Sequence, residues 1–341
     1  MHLVYRSRNL SKYALKRWPE IRVPFQTTPE LEPIFLNIIR EHTAGSPQND
    51  IRWTNLRPKE IAKRVTAAGV PVSRFIICKL LKKNRLVRRQ SQKKKSFKQH
   101  PDRNPQFENI TRLKAEYLAK GQPVISMDTK KKEMIGDFHR NGKLYTTEPI
   151  KTLDHDFPSY SKGKIVPHGL YDIGLNKAHM NLGTSSDTTE FACNSVKHWW
   201  NNYGRHDHPS ATQILILCDG GGSNPSNSPL FRQDLQILAN HIGLDIRIAH
   251  YPPYCSKHNP IEHRVFPHVT RACEGVVFKN VTLVKELIEK TETTTGLCIT
   301  VDILNRAYKA GRKATKHLQS TLNMMSDTIL PQWNYVLSPQ A

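Results

Sequence analysis

The chain has 341 residues, 38% of them hydrophobic, with 51 Lys+Arg against 29 Asp+Glu and a formal net charge of +22. That apolar content excludes global disorder and suits two or three folded domains. That charge points to a polyanionic partner, nucleic acid first. Six cysteines with no CxxC pair build no disulfide framework and fit a reducing cytosol. The opening MHLVYRSRNL lacks the apolar stretch of a secretory signal, and no segment approaches the roughly 18 apolar residues of a membrane helix. The expectation is a cytoplasmic, nucleoid-associated protein with no membrane partner.

Residues 1–26 have no clear role. LEPIFLNIIREHT, from Leu31, is amphipathic and predicts a helix. Charge then concentrates: residues 51–100 hold sixteen Lys/Arg and one acidic residue, Glu60. Within that block lies RPKEIAKRVTAAGVPVSRFIICKLLKKNRL. Pro58 suits a first helical turn, and Ile61, Val65 and Ala68 recur at helical spacing. Gly69 and Pro71 break the helix. Ser73 caps a second one with Ile76, Ile77, Leu80 and Leu81 as its stripe. Two short helices across a tight turn match a helix-turn-helix, with Arg74, Lys79, Lys82 and Lys83 toward double-stranded DNA. The alternative is an ordinary helical hairpin. Residues 27–87 are thus expected to form a small all-α DNA-binding domain. RRQSQKKKSFKQHPDRNPQF is nearly devoid of apolar residues, so 88–120 reads as a basic linker.

From Pro123 the texture changes. PVISMDTKKKEMIGDF, GKIVPHGLYDIG and HMNLGTS are strand candidates. TTEFACNSVKHWWNNYG predicts a helix, with Trp199 and Trp200 in the core. TQILILCDGGGSN is a strand in which Cys218 is a small buried hydrophobe. PLFRQDLQILANHIG is a helix closed by Gly243, LDIRIAHYPP is a strand, and NPIEHRVFPHVTRACEG starts helical. Three strands followed by alternating helix and strand predict an α/β domain over 121–290, a five-stranded mixed sheet with flanking helices. Residues 291–341, with Trp333 and Tyr335, are expected to pack on it.

Three acidic residues sit at informative places: Asp128 in the first strand, Asp219 at the end of the fourth, and Glu262 opening the last helix. The first and fourth strands are neighbours in a sheet of this order, so the three carboxylates can converge. Close carboxylates repel unless a cation neutralises them, and hard oxygens suit Mg²⁺ or Mn²⁺. Two such ions about 4 Å apart serve phosphoryl transfer. Gly220, Gly221 and Gly222 would let a DNA strand approach Asp219 without Cβ clashes. The alternative is a strand-end turn whose aspartate caps local N–H groups. GGGSN lacks both GK[ST] and GxGxxG, so it is no nucleotide cradle. His250, Cys255, His258 and His263 lack a second ligand pair for zinc. His168 is a further candidate for the site, on the second strand.

GQPVISMDTKKKEMIGDF, LILCDGGGSN, YPPYCSKHNPIEHRVF and QWNYVL, with DIRWT and QHPDRNPQFENI upstream, together resemble a bacterial insertion-sequence transposase family, the one with the Rhodopirellula-type DDE domain. The likeness runs from about residue 27 to about residue 338. It implies a ribonuclease-H-like fold and a DNA transposase that cleaves element ends and joins the 3′-hydroxyl to target DNA with two Mg²⁺ or Mn²⁺ ions, acting as a homo-oligomer on DNA. The family's metal-binding triad maps onto Asp128, Asp219 and Glu262. Lys130, Lys131, Lys132, Asn224, Lys257, Asn259, His263 and Arg264 match its neighbouring motif positions, as holders of the scissile phosphate or orienters of the carboxylates. Relatives carry a longer N-terminus with an additional helix-turn-helix that residues 1–26 do not resemble, so a truncated copy is expected. The alternatives are a catalytically silent DNA-binding repressor and a ribonuclease-H-like nuclease.

Overall fold

The computed structural model describes residues 29–42, 54–89, 100–314 and 321–340. The expectations for residues 1–26 lie outside them. Contacts divide the chain into two units, one ending at Lys94 and one beginning at Lys95.

In the first unit, α1 (Leu31–Glu41), α2 (Pro58–Ala67) and α3 (Arg74–Lys83) enclose a core of Phe35, Ile38, Ile61, Val65, Ile77 and Leu80. Both predicted helix starts hold. Pro58 occupies the first turn of α2, where the Glu60 carboxylate accepts from the Arg57 N–H at 2.8 Å. The Ser73 hydroxyl accepts from the Ile76 N–H at 3.5 Å and caps α3. Ile76, Ile77 and Leu80 face inward, as their spacing requires.

In the second unit, α4 (Arg103–Ala119) precedes a nine-stranded sheet. Its strands are β1 (Val124–Thr129), β2 (Glu133–Ile135), β3 (Gly163–Asp172), β4 (Lys177–Gly183), β5 (Gln213–Cys218), β6 (Asp245–His250), β7 (Cys298–Leu304), β8 (Met324–Ser326) and β9 (Asn334–Leu337). The spatial order is β7-β4-β3-β1-β5-β6-β9-β8, with β2 paired on β3. The five expected strands form its centre, β4-β3-β1-β5-β6. β1, β3 and β4 are antiparallel; β1, β5 and β6 are parallel. That is the ribonuclease-H-like order. The sheet is wider than five strands because β7 adds parallel to β4 and the β9–β8 hairpin adds antiparallel to β6.

Helices α5 (Thr189–Trp199), α6 (Arg205–Asp207) and α7 (Pro229–Ile242) follow β4 and β5, with one π turn (Trp200–Gly204) between α5 and α6. α8 (Pro260–Arg264), α9 (Phe266–Ala272) and α10 (Val281–Glu289) follow β6. Strand alternation separates two faces. Ile125, Met127, Ile214, Ile216 and Cys218 pack with Trp199, Trp200, Phe231 and Leu235 of the α5–α7 layer. On the other face, Val124, Leu215 and Leu217 pack with Ile110, Leu113 and Tyr117 of α4. There too Met180 and Val301 pack with Ile261, Phe266, Val284 and Ile288. Residues 103–119 of the expected linker are therefore a helix docked on the sheet. Trp333 is buried and Tyr335 lies in β9, within the sheet.

Candidate active site

Asp128 and Asp219 belong to adjacent parallel strands. The register pairs Met127 with Cys218, so one step further Asp128 lies level with Asp219. Met127 and Cys218 enter the α5–α7 core, and alternation turns both aspartates to the opposite face. That face carries α8 at this level. Ser126, two residues before Asp128 and on its face, accepts from the Ile261 N–H at 2.9 Å and donates to Asn259 Oδ1 at 2.5 Å. Asn259 Nδ2 donates to the Met127 carbonyl at 2.9 Å. These bonds seat the start of α8 on β1 and deliver Glu262, in its first turn, beside Asp128.

Gly169, the β3 partner of Asp128, makes the close approach possible. A Cβ there would lie 2.7 Å from Ile261 Cδ1 and 3.0 Å from Phe266 Cε1. In the loop after β5, Gly222 sits at φ 60, where a side chain is strained. The Gly221 N–H bonds the Asp219 carboxylate, and the Asn224 N–H closes the turn on the Gly221 carbonyl at 3.0 Å.

The electrostatics are those of crowded acids. Asp128, 9% exposed, has its pKa pushed up to about 8 by burial first, then by Asp219 and Glu262. The Thr129 N–H, donating to its Oδ1 at 2.7 Å, opposes that rise. Asp219 is also raised, by burial and by the charges of Glu262 and Asp187, against the Gly221 N–H. Asp187, unnoticed in the sequence, accepts from Thr129 Oγ1 at 3.2 Å and pairs with Lys132 at 3.6 Å. Its only sequence signal is its place just before the Thr188 cap of α5.

His250 braces the end of β5 from the other face. Its Nδ1 lies 3.1 Å from the Asp219 carbonyl and its Nε2 3.1 Å from the Tyr335 hydroxyl. The sequence offered no hint of this role. Cys218 is fully buried, as expected.

The remaining candidates divide. Lys131, Lys132, Lys257, His263 and Arg264 are exposed. Lys130 is mostly covered and paired with Glu133 at 3.3 Å. Asn224 is buried in the glycine loop with its side-chain oxygen unpartnered, an open acceptor. Asn259 is fully buried and both ends of its amide are engaged, so it orients α8 and does not reach outward. His168 is not in the site: it lies on the opposite face, fully buried against Phe191, with both ring nitrogens unpartnered. In the first unit, Arg74, Lys79 and Lys82 are exposed on α3, whereas Lys83 pairs with Glu32 of α1 at 2.6 Å.

The family described as "Rhodopirellula transposase DDE domain" matches residues 35–339. No curated protein matches the chain. Solved structures similar to it include the "Mos1 transposase paired-end complex with left transposon end", at 11% identity and a TM-score of 0.43, covering 76% of this chain and 70% of that one. The "Mos1 mariner paired end complex with Mn" has the same identity and coverages and a TM-score of 0.42. The "Mos1 Strand Transfer Complex" has 11% identity, 76% and 69% coverage and a TM-score of 0.42. The protein is a DDE-type DNA transposase, an enzyme of phosphoryl transfer. It belongs to the Rhodopirellula transposase DDE domain family.

Proposed function

We propose that Asp128, Asp219 and Glu262 are the catalytic carboxylates of this transposase and that they hold two divalent ions, Mg²⁺ or Mn²⁺. The observation that carries the reading is the Asp128 carboxyl, buried and pushed up to about 8 beside two other acids. Such a group lacks a countercharge, and an all-oxygen donor set fits a hard cation. Ions bound there would supply stabilisation of the attacking and leaving oxygens in an in-line displacement.

The chain's own contribution is position. The Thr129 and Gly221 N–H groups fix the two aspartates. The Ser126–Asn259–Ile261 bonds fix Glu262 through α8. Lys131, Lys132, Lys257, His263 and Arg264 offer exposed positive charge or donors to the DNA phosphates. The reaction is hydrolysis of a phosphodiester at the element end, then attack of the freed 3′-oxygen on a target phosphodiester with expulsion of the target 3′-oxygen. Joining two ends calls for two active sites, and a homo-oligomer on double-stranded DNA meets that need.

Residues 27–87 are proposed as the DNA-binding domain. Its support is the exposed Arg74, Lys79 and Lys82 on α3, with the Arg74 guanidinium 5.0 Å from the Phe75 ring. The catalytic domain is proposed to span 121–290, with 291–341 completing its sheet. The test is nicking and strand transfer on a labelled element end. Both should require Mg²⁺ or Mn²⁺ and stop on chelation. End binding with no cleavage under any divalent ion would favour the repressor reading.

A further inference from the structure

The face of the sheet opposite Asp128 carries a second group of ligand-type side chains. His179 of β4, Asp302 of β7 and His198 of α5 offer two ring nitrogens and a carboxylate oxygen that all lie within 4.8 Å of one another. His198 Nε2 is 3.0 Å and His179 Nε2 is 3.7 Å from Asp302 Oδ2. A tetrahedral zinc ion with ligands about 2.0–2.1 Å away holds them about 3.4 Å apart, between those two distances. We propose that His179, His198 and Asp302 form a zinc site, separate from the catalytic carboxylates.

Three further features argue for a built site. His179 is 2% exposed on its side chain and its Nδ1 lies 2.7 Å from Thr300 Oγ1, whose hydroxyl is 3.5 Å from the Ala178 carbonyl. Without a metal, Nε2–H can donate to Asn181 Oδ1 at 3.2 Å; with the proton on Nδ1 and donated to Thr300, Nε2 is free to bind a metal. A metal-bound histidine is ordinarily oriented by a bond from its other nitrogen in this way. Second, the Tyr203 hydroxyl donates to Asp302 Oδ2 at 2.9 Å and fixes the carboxylate. Tyr203 lies in the π turn after α5, an irregularity frequent at functional sites. Third, His198 and Asp302 are 31% and 30% exposed on their side chains, which leaves an ion a path in from solvent.

The donor set separates this site from the catalytic one. Two imidazoles and one carboxylate suit a borderline transition metal such as zinc, whereas three carboxylates suit Mg²⁺ or Mn²⁺. Zinc here would tie β7 to β4 and to the end of α5, so its effect is on the stability of that sheet edge. The site does not depend on the proposed catalytic triad.

The test uses the tag-free full chain, stripped with chelator and dialysed against zinc in excess Mg²⁺. About one zinc per chain should remain bound, and zinc should raise the melting temperature by about 5 °C or more. Cobalt(II) in place of zinc should give the strong visible absorption of a tetrahedral site. His198→Ala and Asp302→Asn, both at part-exposed positions, should each lose the bound metal and the shift. The combined Asp128→Asn, Asp219→Asn and Glu262→Gln protein should keep both. A wild-type chain that retains no zinc overturns the proposal, because the cluster is then only hydrogen-bonded. Undiminished zinc in either single variant also overturns it, by placing the ion elsewhere.

Discussion

Asp128 carries a stability effect separate from catalysis. Its folded pKa of about 8 lies above the unfolded carboxylate value, 3.8. The native state therefore keeps a proton that the unfolded chain releases. This contribution is fully present below about pH 4 and is lost as pH rises toward 8, at up to about 1.4 kcal/mol per pH unit. Asp128→Asn removes the dependence while preserving an oxygen to accept the Thr129 N–H. In chelator, the variant should match the wild type near pH 4. It should exceed it by about 2 kcal/mol or more at pH 8, read by denaturant unfolding. An offset that does not grow with pH would contradict the crowding of the three acids. Buried His168 and His250 have pKa values lowered to about 3 and 4 by burial. Their contributions have the opposite sign, full above about pH 6.5 and lost as pH falls, so they affect both proteins alike. At this scale the sequence showed the acids clearly, because each stands at a strand end or a helix start. It did not show Ser126, Thr129 or Asp187, whose roles arise only from which strand and loop lie beside them.

Among the elements, α8 is the one whose placement decides the site. Five residues long, it cannot hold itself by propensity and is fixed by bonds to β1. Ser126→Ala would delete the acceptor for the Ile261 N–H and the donor to Asn259. Leaving buried polar groups unpaired should cost about 1–3 kcal/mol of stability. Cleavage should fall about 10- to 100-fold as Glu262 loses its position, while a gel shift on the same end changes little. Wild-type cleavage by this variant would show that the seat does not set the geometry. Strands β1, β3, β4, β5 and β6 were legible from apolar runs bounded by turn residues. β7 was not, although Ile299 and Val301 alternate with Thr300 and Asp302 on opposite faces. α4 read as linker because its buried side includes polar residues. Gln106 donates to the His250 carbonyl at 2.8 Å and exchanges two bonds with Asn334 at 3.0 and 2.7 Å. A helix that docks through amides hides its inner face from a hydrophobicity count.

For the whole molecule, charge and chemistry are segregated along the chain. Residues 51–100 hold sixteen basic residues against one acid, while the three carboxylates all lie after Pro123. Binding to DNA should therefore be separable from cutting it. No helix among the described residues is long and apolar enough to cross a membrane. The most direct measurement is strand cleavage of a labelled element end by Asp128→Asn, Asp219→Asn and Glu262→Gln, run beside a gel shift on the same proteins. Each substitution keeps the side chain's shape and removes a charged oxygen. Cleavage should drop by on the order of 10³-fold or more in each, with end binding retained. Full cleavage by any one of the three would remove that residue from the mechanism and contradict the triad.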